Sequence, residues 1–385
     1  MPRTPMFSEP LHVGRPNVGD RDRLLRLIND ALDRLWLTNN GPLVREFEEK
    51  VAERAGTRHC VAVANATSGM QIAATAAGVR PGQEVIIPAF TWIATPHAME
   101  WAGMVPVFCD VDEESGTIDP EHAEKLIGPR TGGILGVHVY GRPCPVDELT
   151  DLAGRHGLSL LFDAAHAFGN TYRQRPVGGF GTAEVFSFHA TKFVNSFEGG
   201  AIVTNDDGLA ERARALHHLG LGPGREIVSR GTNARMSEIH AAMGLVSLEI
   251  TDELMEVNRR NEQWYRDGLA GLPGVTVRPQ APGERANRQY VVIDVDERAA
   301  GVHRDAVHDA LHENNVLSRR YFHPGCHLSE PYRAAPAVHA PLPLPVTEAL
   351  TERVLALPSG TAVGSVEIAG VCEIIARTVT GPRGV

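Results

Sequence analysis

Only three of this chain's 37 basic residues are lysines, and one of them stands in an unusual place. Lys50 and Lys125 lie in REFEEK and HAEKL, polar helical faces where a solvated ammonium is the ordinary outcome. Lys192 instead lies among Phe186, Phe188, Phe193, Val194 and Phe197, just ahead of Glu198-Gly199-Gly200. An amine in apolar surroundings gives up its charge more easily, by up to ~3–5 pK units when fully buried. The neutral amine is the form that attacks a carbonyl carbon. The competing explanation is a surface lysine whose stem covers apolar neighbours while its ammonium stays in water.

Five further residues suit the same chemistry. Asp163 closes the apolar run LSLLFD. A carboxylate there is expensive to keep ionised unless it meets a cation, and a protonated pyridine nitrogen is such a partner. A helix cap or a structural ion pair is the alternative. Thr67 and Ser68, in NATSGM, sit between a strand-like run and a helix-like one, where the first helical N–H groups and the two hydroxyls suit a phosphate. Both residues are also favoured as plain helix caps. Trp92, after EVIIPAF, suits stacking on a planar ring, although aromatics in such loops more often belong to the core. His166, three residues beyond Asp163, suits a hydrogen bond to a ring oxygen, although lone histidines are usually structural. Together a phosphate cradle, a stacking ring, a pyridine-directed acid and a desolvated lysine match pyridoxal 5'-phosphate. No spacing suggests a metal site.

These residues need a frame, and the apolar pattern supplies one. Residues 21–37 and REFEEKVAERAG read as amphipathic helices. From residue 60 the runs CVAVAN, EVIIPAF, VPVFCDVD, GILGVHVY, LSLLFDAA, EVFSFHA and GGAIVTND alternate with helical stretches. Continuous apolar runs of this kind predict an α/β fold with a mainly parallel sheet covered on both faces. Each chemistry-bearing residue falls just after a run, where open α/β sheets hold ligands. MSEIHAAMGLVSLEITDELMEVNRRNEQWYRDGL reads as one long helix, and QYVVIDV, HRDAVHDALHENN and a helix near 365–378 form a second αβ region. The expected division is a large domain over 1–250 and a small C-terminal domain over 251–385.

Composition narrows the function. A net charge of −10 argues against nucleic acid as a partner, since that needs a basic face. The first twenty residues show no apolar run resembling a signal peptide. No 18-residue apolar stretch suggests a membrane span. Five scattered cysteines without a CxxC pair fit small buried residues in a reducing cytoplasm.

NATSGM, FTWIAT, FDAAHAFG, FSFHATKFVNSFEGGAIVT and NARMSEIHAAMGLVSLE resemble the DegT/StrS family of nucleotide-sugar aminotransferases, from about residue 12 to the end. WLTNNGPLVREFEE, FDAAHAFG with FSFHATK, and RRYFHPGCHLSEPYR look closest to the sugar 4-aminotransferases of desosamine biosynthesis. The resemblance implies an aspartate-aminotransferase-like fold (fold type I), with a mainly parallel seven-stranded sheet in the large domain and a smaller C-terminal α/β domain. It also implies a homodimer whose sites are built from both subunits. Lys192 would bond pyridoxal phosphate and shuttle a proton, Asp163 would pair with the pyridine nitrogen, and Trp92 would stack on the ring. Thr67, Ser68 and Ser187 would hold the phosphate in their own subunit, and Asn233 would reach the neighbour's. The family commonly has Gln where this chain has His166. Arg320, Tyr321 and His327 would contact sugar or diphosphate. The implied reaction moves an amine from L-glutamate to C4 of dTDP-4-keto-6-deoxyglucose.

Two other readings stay open. One is an aminotransferase for 3-keto or other nucleotide-linked keto-sugars. The other is a non-catalytic regulator on the same fold. Sugar dehydration on this fold is disfavoured, because those relatives replace the lysine with histidine and Lys192 is intact.

Overall fold

In a computed structural model, which describes residues 4–381, the seven apolar runs become the strands of one sheet. They are β1 (His59–Val63), β2 (Glu84–Pro88), β3 (Val105–Cys109), β4 (Thr131–Val137), β5 (Ser159–Asp163), β6 (Ala183–Ser187) and β7 (Gly200–Thr204). Their spatial order is β1-β7-β6-β5-β4-β2-β3. β7 runs antiparallel to both of its neighbours, and the remaining pairings are parallel.

The unbroken apolar runs follow from two-sided burial. Along β1, Cys60 and Ala62 face one core while Val61 and Val63 face the other. On β5, Leu160 and Phe162 join the first core and Leu161 the second. The first face is covered by helices that include α1 (Arg21–Asp33), α2 (Pro42–Ala55) and α8 (Glu238–Glu249). The second is covered by α3 (Ala66–Ala76), α4 (Ala94–Trp101) and α7 (Asp207–Leu216). The first face is also covered by α5 (Pro120–Leu126) and α6 (Val146–His156), whose Ala123, Leu149 and Leu152 join its core. Both faces are buried, so both strand parities must be apolar.

Two helix expectations change. The pattern over 21–37 ends as helix at Asp33, and Leu35 adopts a positive φ of 53°. The stretch 236–269, read as one helix, is two: α8 stops at Ile250 (φ −103°, ψ 10°), and α9 (Thr251–Gly268) restarts at once. Asp252 and Glu253 occupy the first turn of α9, where acids complement the positive end of the helix dipole. The Thr251 hydroxyl donates to the Leu248 carbonyl at 2.6 Å, taking up an acceptor freed by the break.

A second group of elements has its own core. β8 (Val275–Val277), β9 (Val291–Val295) and β10 (Val354–Leu357) form an antiparallel sheet with β9 in the centre. Tyr265 of α9, Leu311 of α10 (Arg304–Glu313) and Val371 of α11 (Ser365–Thr380) pack with it. The N-terminal segment ties into this group, since Leu11–His12 pairs in parallel with Val316–Leu317.

One long-range contact stands out in the large sheet's helical cover. Glu238 is fully buried, and its carboxylate accepts the Leu43 and Val44 N–H groups at 2.9 and 3.1 Å. It therefore caps α2 from 195 residues away along the chain. Gly41 permits this, because a Cβ there would lie 2.5 Å from the Glu238 carboxyl carbon.

Candidate active site

The parallel strands end on one edge of the sheet, and the cavity opens there. Its volume is about 360 Å³. The large sheet contributes Asn65, Ala66, Thr67, Trp92, Asp163, His166, Ser187 and Lys192 to its wall. Tyr290, Tyr321 and Phe322 close it from the second group of elements.

Asp163 is buried at the end of β5. One carboxylate oxygen accepts the Ala165 N–H at 3.0 Å, and the other accepts the Thr95 hydroxyl at 2.8 Å. Burial nevertheless lifts its pKa above the usual carboxylate range; those two hydrogen bonds and the Lys192 charge only partly offset this. The group calls for a cation. Beneath it, the His138 N–H donates to the Asp163 carbonyl at 3.0 Å, while the fully buried His138 ring pairs with Glu184 at 3.2 Å.

Lys192 borders the same cavity and is half-buried. Its Nζ lies 5.9 Å from the centre of the Tyr290 ring. Loss of water around the amine depresses its pKa from 10.5 to about 8, against the opposing pull of Asp163 and Tyr321. Because capture of an aldehyde requires the neutral amine, its rate in the apoprotein should climb about tenfold per pH unit up to a midpoint near 8, then level off. Stopped-flow absorbance of pyridoxal phosphate binding from pH 6 to 10 measures this. A rise continuing unbroken past pH 10 would contradict the depressed amine.

His166 takes a defined tautomer. Its Nδ1 accepts the Tyr140 N–H at 3.2 Å, so a neutral ring carries its proton on Nε2. Burial, together with the Lys192 charge, pushes its pKa well below the ordinary value and keeps the ring neutral. Tyr290 tilts against it, with centroids 4.7 Å apart. His166 is thus a neutral hydrogen-bond donor, a role also open to the glutamine common at this position.

The anion end is built by α3 and β7. Asn65 caps α3 by accepting the Ser68 N–H at 2.9 Å, leaving the Ala66 and Thr67 N–H groups free of intrahelical partners. Gly200 makes the fit close, because a Cβ there would lie 2.7 Å from the Ala66 nitrogen. Ser187 ends β6 on the same wall. The Ser68 hydroxyl turns back to the Asn65 carbonyl at 3.0 Å, and Ser68 does not line the cavity.

The cavity thus brings together Lys192, Asp163, His166, Thr67, Ser187, Trp92 and Tyr321. Trp92 is 55% exposed and meets Tyr321 edge-on at 6.1 Å. Three positions lie off the wall. Asn233 accepts from Arg235 at 3.0 Å, Arg320 pairs with Asp305 at 3.2 Å, and His327 pairs with Glu348 at 3.4 Å. The sequence reading passed over Tyr290 and Thr95. Tyr290 precedes a strand of the second group and gives no local sign of its target. Thr95, in FTWIAT, had a signal: a hydroxyl three residues after Trp92, in the first turn of α4.

A buried acid needing a cation, an amine short of water and a helix N-terminus open to an anion fit the pyridine nitrogen, aldehyde and phosphate of one cofactor. With this sheet, they define an aspartate-aminotransferase-like enzyme of fold type I dependent on pyridoxal phosphate. The chain belongs to the DegT/DnrJ/EryC1/StrS aminotransferase family, whose model matches residues 20–376. It is 34% identical over 358 residues to the dTDP-4-amino-4,6-dideoxy-D-glucose transaminase of Escherichia coli, covering 92% of this chain and 94% of that one. A crystal structure of DesI in the presence of its TDP-sugar product is similar at 51% identity and a TM-score of 0.94, covering 98% of this chain and 95% of that chain. 3-Amino-5-hydroxybenzoic acid synthase shares the fold at 26% identity and a TM-score of 0.84, over 95% of this chain and 99% of that one. That last likeness shows that the fold also serves a molecule that is not a sugar. Among the described residues, no helix is long and apolar enough to cross a membrane, and no cluster of His, Cys, Asp or Glu suits a metal ion.

Proposed function

We propose that the enzyme moves an amino group from L-glutamate to C4 of dTDP-4-keto-6-deoxy-D-glucose, giving dTDP-4-amino-4,6-dideoxyglucose for deoxyaminosugar biosynthesis. The observation that carries this reading is the pairing of one cavity lined by both Lys192 and Asp163 with the 51% identity to DesI, whose crystal structure was determined in the presence of its TDP-sugar product.

Bound pyridoxal phosphate supplies an electron sink that carries the amine between the two substrates. The chain's own residues do the rest. Asp163 would stay ionised against the ring nitrogen and would keep a proton there. Lys192 Nζ takes the proton from the donor's Cα and delivers one to C4 of the sugar, a transfer suited to an amine that changes protonation near neutral pH. His166 Nε2–H would hold the ring oxygen, Trp92 would cover a ring face, and Thr67 and Ser187 would hold the phosphate; Ser68, whose hydroxyl bonds the Asn65 carbonyl, would join them only by turning toward the cavity. Tyr321, on the cavity wall, would face sugar or diphosphate as the substrate enters, while Arg320 and His327 would have to leave Asp305 and Glu348 to join it.

The reading includes a homodimer in which Asn233 reaches the neighbour's phosphate. The exposed side chains of Leu32, Leu35, Trp36 and Leu37 support it, being an apolar cluster that a second copy would cover. The division into domains at residue 250 belongs to the same reading, supported by the separate core around β9. So does a cytoplasmic location, supported by five free, buried cysteines.

A substrate panel tests it. With glutamate as donor, the 4-keto dTDP-sugar should be aminated with kcat/KM at least ~100-fold above its 3-keto isomer, a separation expected when a site orients one carbonyl for proton delivery. Turnover confined to the 3-keto sugar would overturn the C4 assignment.

A further inference from the structure

Lys192 sits in a turn rather than a helix or strand, so its own element does not hold it. Its N–H donates to the His189 carbonyl at 2.8 Å. The peptides on either side are held from elsewhere. The Gln289 Oε1 accepts the Phe193 N–H at 2.9 Å, and its Nε2 donates to the Thr191 carbonyl at 3.2 Å. One carboxamide therefore brackets the lysine, joining the residue before it to the residue after it.

Gln289 is itself well placed to be rigid. Its N–H donates to the Asn287 side chain at 3.0 Å, and the buried Asn287 amide donates to the His166 and Phe168 carbonyls at 2.9 and 3.1 Å. Tyr290, next along, lies against both the lysine amine and the His166 ring. Strand β9 begins at Val291, so the central strand of the second sheet runs directly into this clamp. Arg288 makes the geometry workable: with φ at +47° it turns away to pair with Glu262 at 2.7 Å.

We propose that Gln289 is a positioning residue for Lys192, fixing the peptide planes on both sides of it and coupling its placement to the second group of elements. The proposal rests on Lys192 being the cofactor's lysine. An amine swung off line by about 1 Å loses on the order of 10²-fold in a reaction that depends on alignment. The carboxamide is one of several restraints on the turn, since Asn17 also donates to the Phe193 carbonyl at 3.3 Å. Its removal should therefore cost less, about tenfold.

Gln289→Met keeps the length and removes both hydrogen bonds. Gln289→Glu keeps an acceptor for the Phe193 N–H and loses the donor. In the Met variant, kcat for amine transfer at pH 9 should fall about tenfold with the sugar KM within about twofold, and the Glu variant should lose less. The pH midpoint for cofactor capture by the apoprotein should rise by about one unit in the Met variant, as the freed turn lets water reach the amine. A lower Tm with unchanged midpoint and kcat would mean structural support only and would overturn the proposal. If the Met variant does not fold, an unchanged kcat in the Glu variant overturns it equally. Failure of the underlying reading looks different: the wild-type protein would then show no visible cofactor band, or one that survives Lys192→Ala.

Discussion

Replacing Lys192 with alanine should lower amine transfer by ~10⁴-fold, the upper range for loss of a positioned acid–base group. The visible cofactor band should disappear with it. Both effects come from one atom, since in the proposed mechanism Nζ anchors the cofactor and carries the proton. The substitution removes a half-buried side chain at the cavity edge and breaks no ion pair, so the variant should stay folded. It also leaves a channel where the lysine ran, and added methylamine should restore part of the proton transfer. Single-turnover absorbance with glutamate measures the loss. Retention of a tenth of wild-type activity would mean that another base on the cavity wall does the work, His189 and Glu198 being the first to replace. His166 is held neutral with its Nδ1 already occupied, and Tyr290 and Tyr321 are pushed above the ordinary phenol value by burial.

Asp163→Asn carries the second large effect, with opposite signs in the two forms of the protein. In the apoprotein the Asp163 pKa lies above its ordinary value of 3.8, so folding favours the protonated acid. That contribution is fully present at low pH and is lost as pH rises through the folded-state value, leaving a cost at neutral pH. Asparagine is nearly isosteric and uncharged. Its amide can donate to the Thr95 oxygen while the Thr95 hydroxyl turns to Thr91, 3.0 Å away. At pH 7 the variant apoprotein should therefore unfold at the wild-type temperature or above it. With cofactor bound, the order reverses. Removing one partner of a buried charge pair costs about 3–5 kcal/mol, which corresponds to about 10³-fold in kcat/KM. Calorimetry with and without pyridoxal phosphate, alongside kinetics, tests both halves. An apoprotein Tm clearly below the wild type, or activity within tenfold of it, would refute the charge-pair account.

Both predictions concern residues readable from the sequence, and the reason is local. Lys192 and Asp163 each follow an apolar strand, so their burial is implied by immediate neighbours. Thr67 was legible for the same reason, at a strand-to-helix junction, whereas Ser187 came from the resemblance and Ser68, read together with Thr67, lies off the cavity wall. The sheet was legible because two-sided burial leaves unbroken apolar runs. What escaped is set by contacts between distant parts of the chain. Glu238 reads as an ordinary helix-start acid, yet it caps α2 across 195 residues. Gln289 and Tyr290 read as the polar entrance to a strand, yet they bracket Lys192 from the far side of the seam. The Ile250 break was missed because the apolar pattern continues across it, although Thr251-Asp252-Glu253 carried a restart signal. Arg320 and His327 came from resemblance alone and lie off the cavity wall, where acids already pair with them.

Titrating the lysines directly tests the amine that all of this chemistry requires. With only three lysines in the chain, ¹³C-methylation of the apoprotein gives a spectrum simple enough to follow each one, and Lys192→Ala identifies the relevant signal. The Lys192 resonance should shift with a midpoint near 8. A midpoint at the ordinary lysine value of ~10.4 would show an amine still in water, and an amine in water could not be the catalyst described.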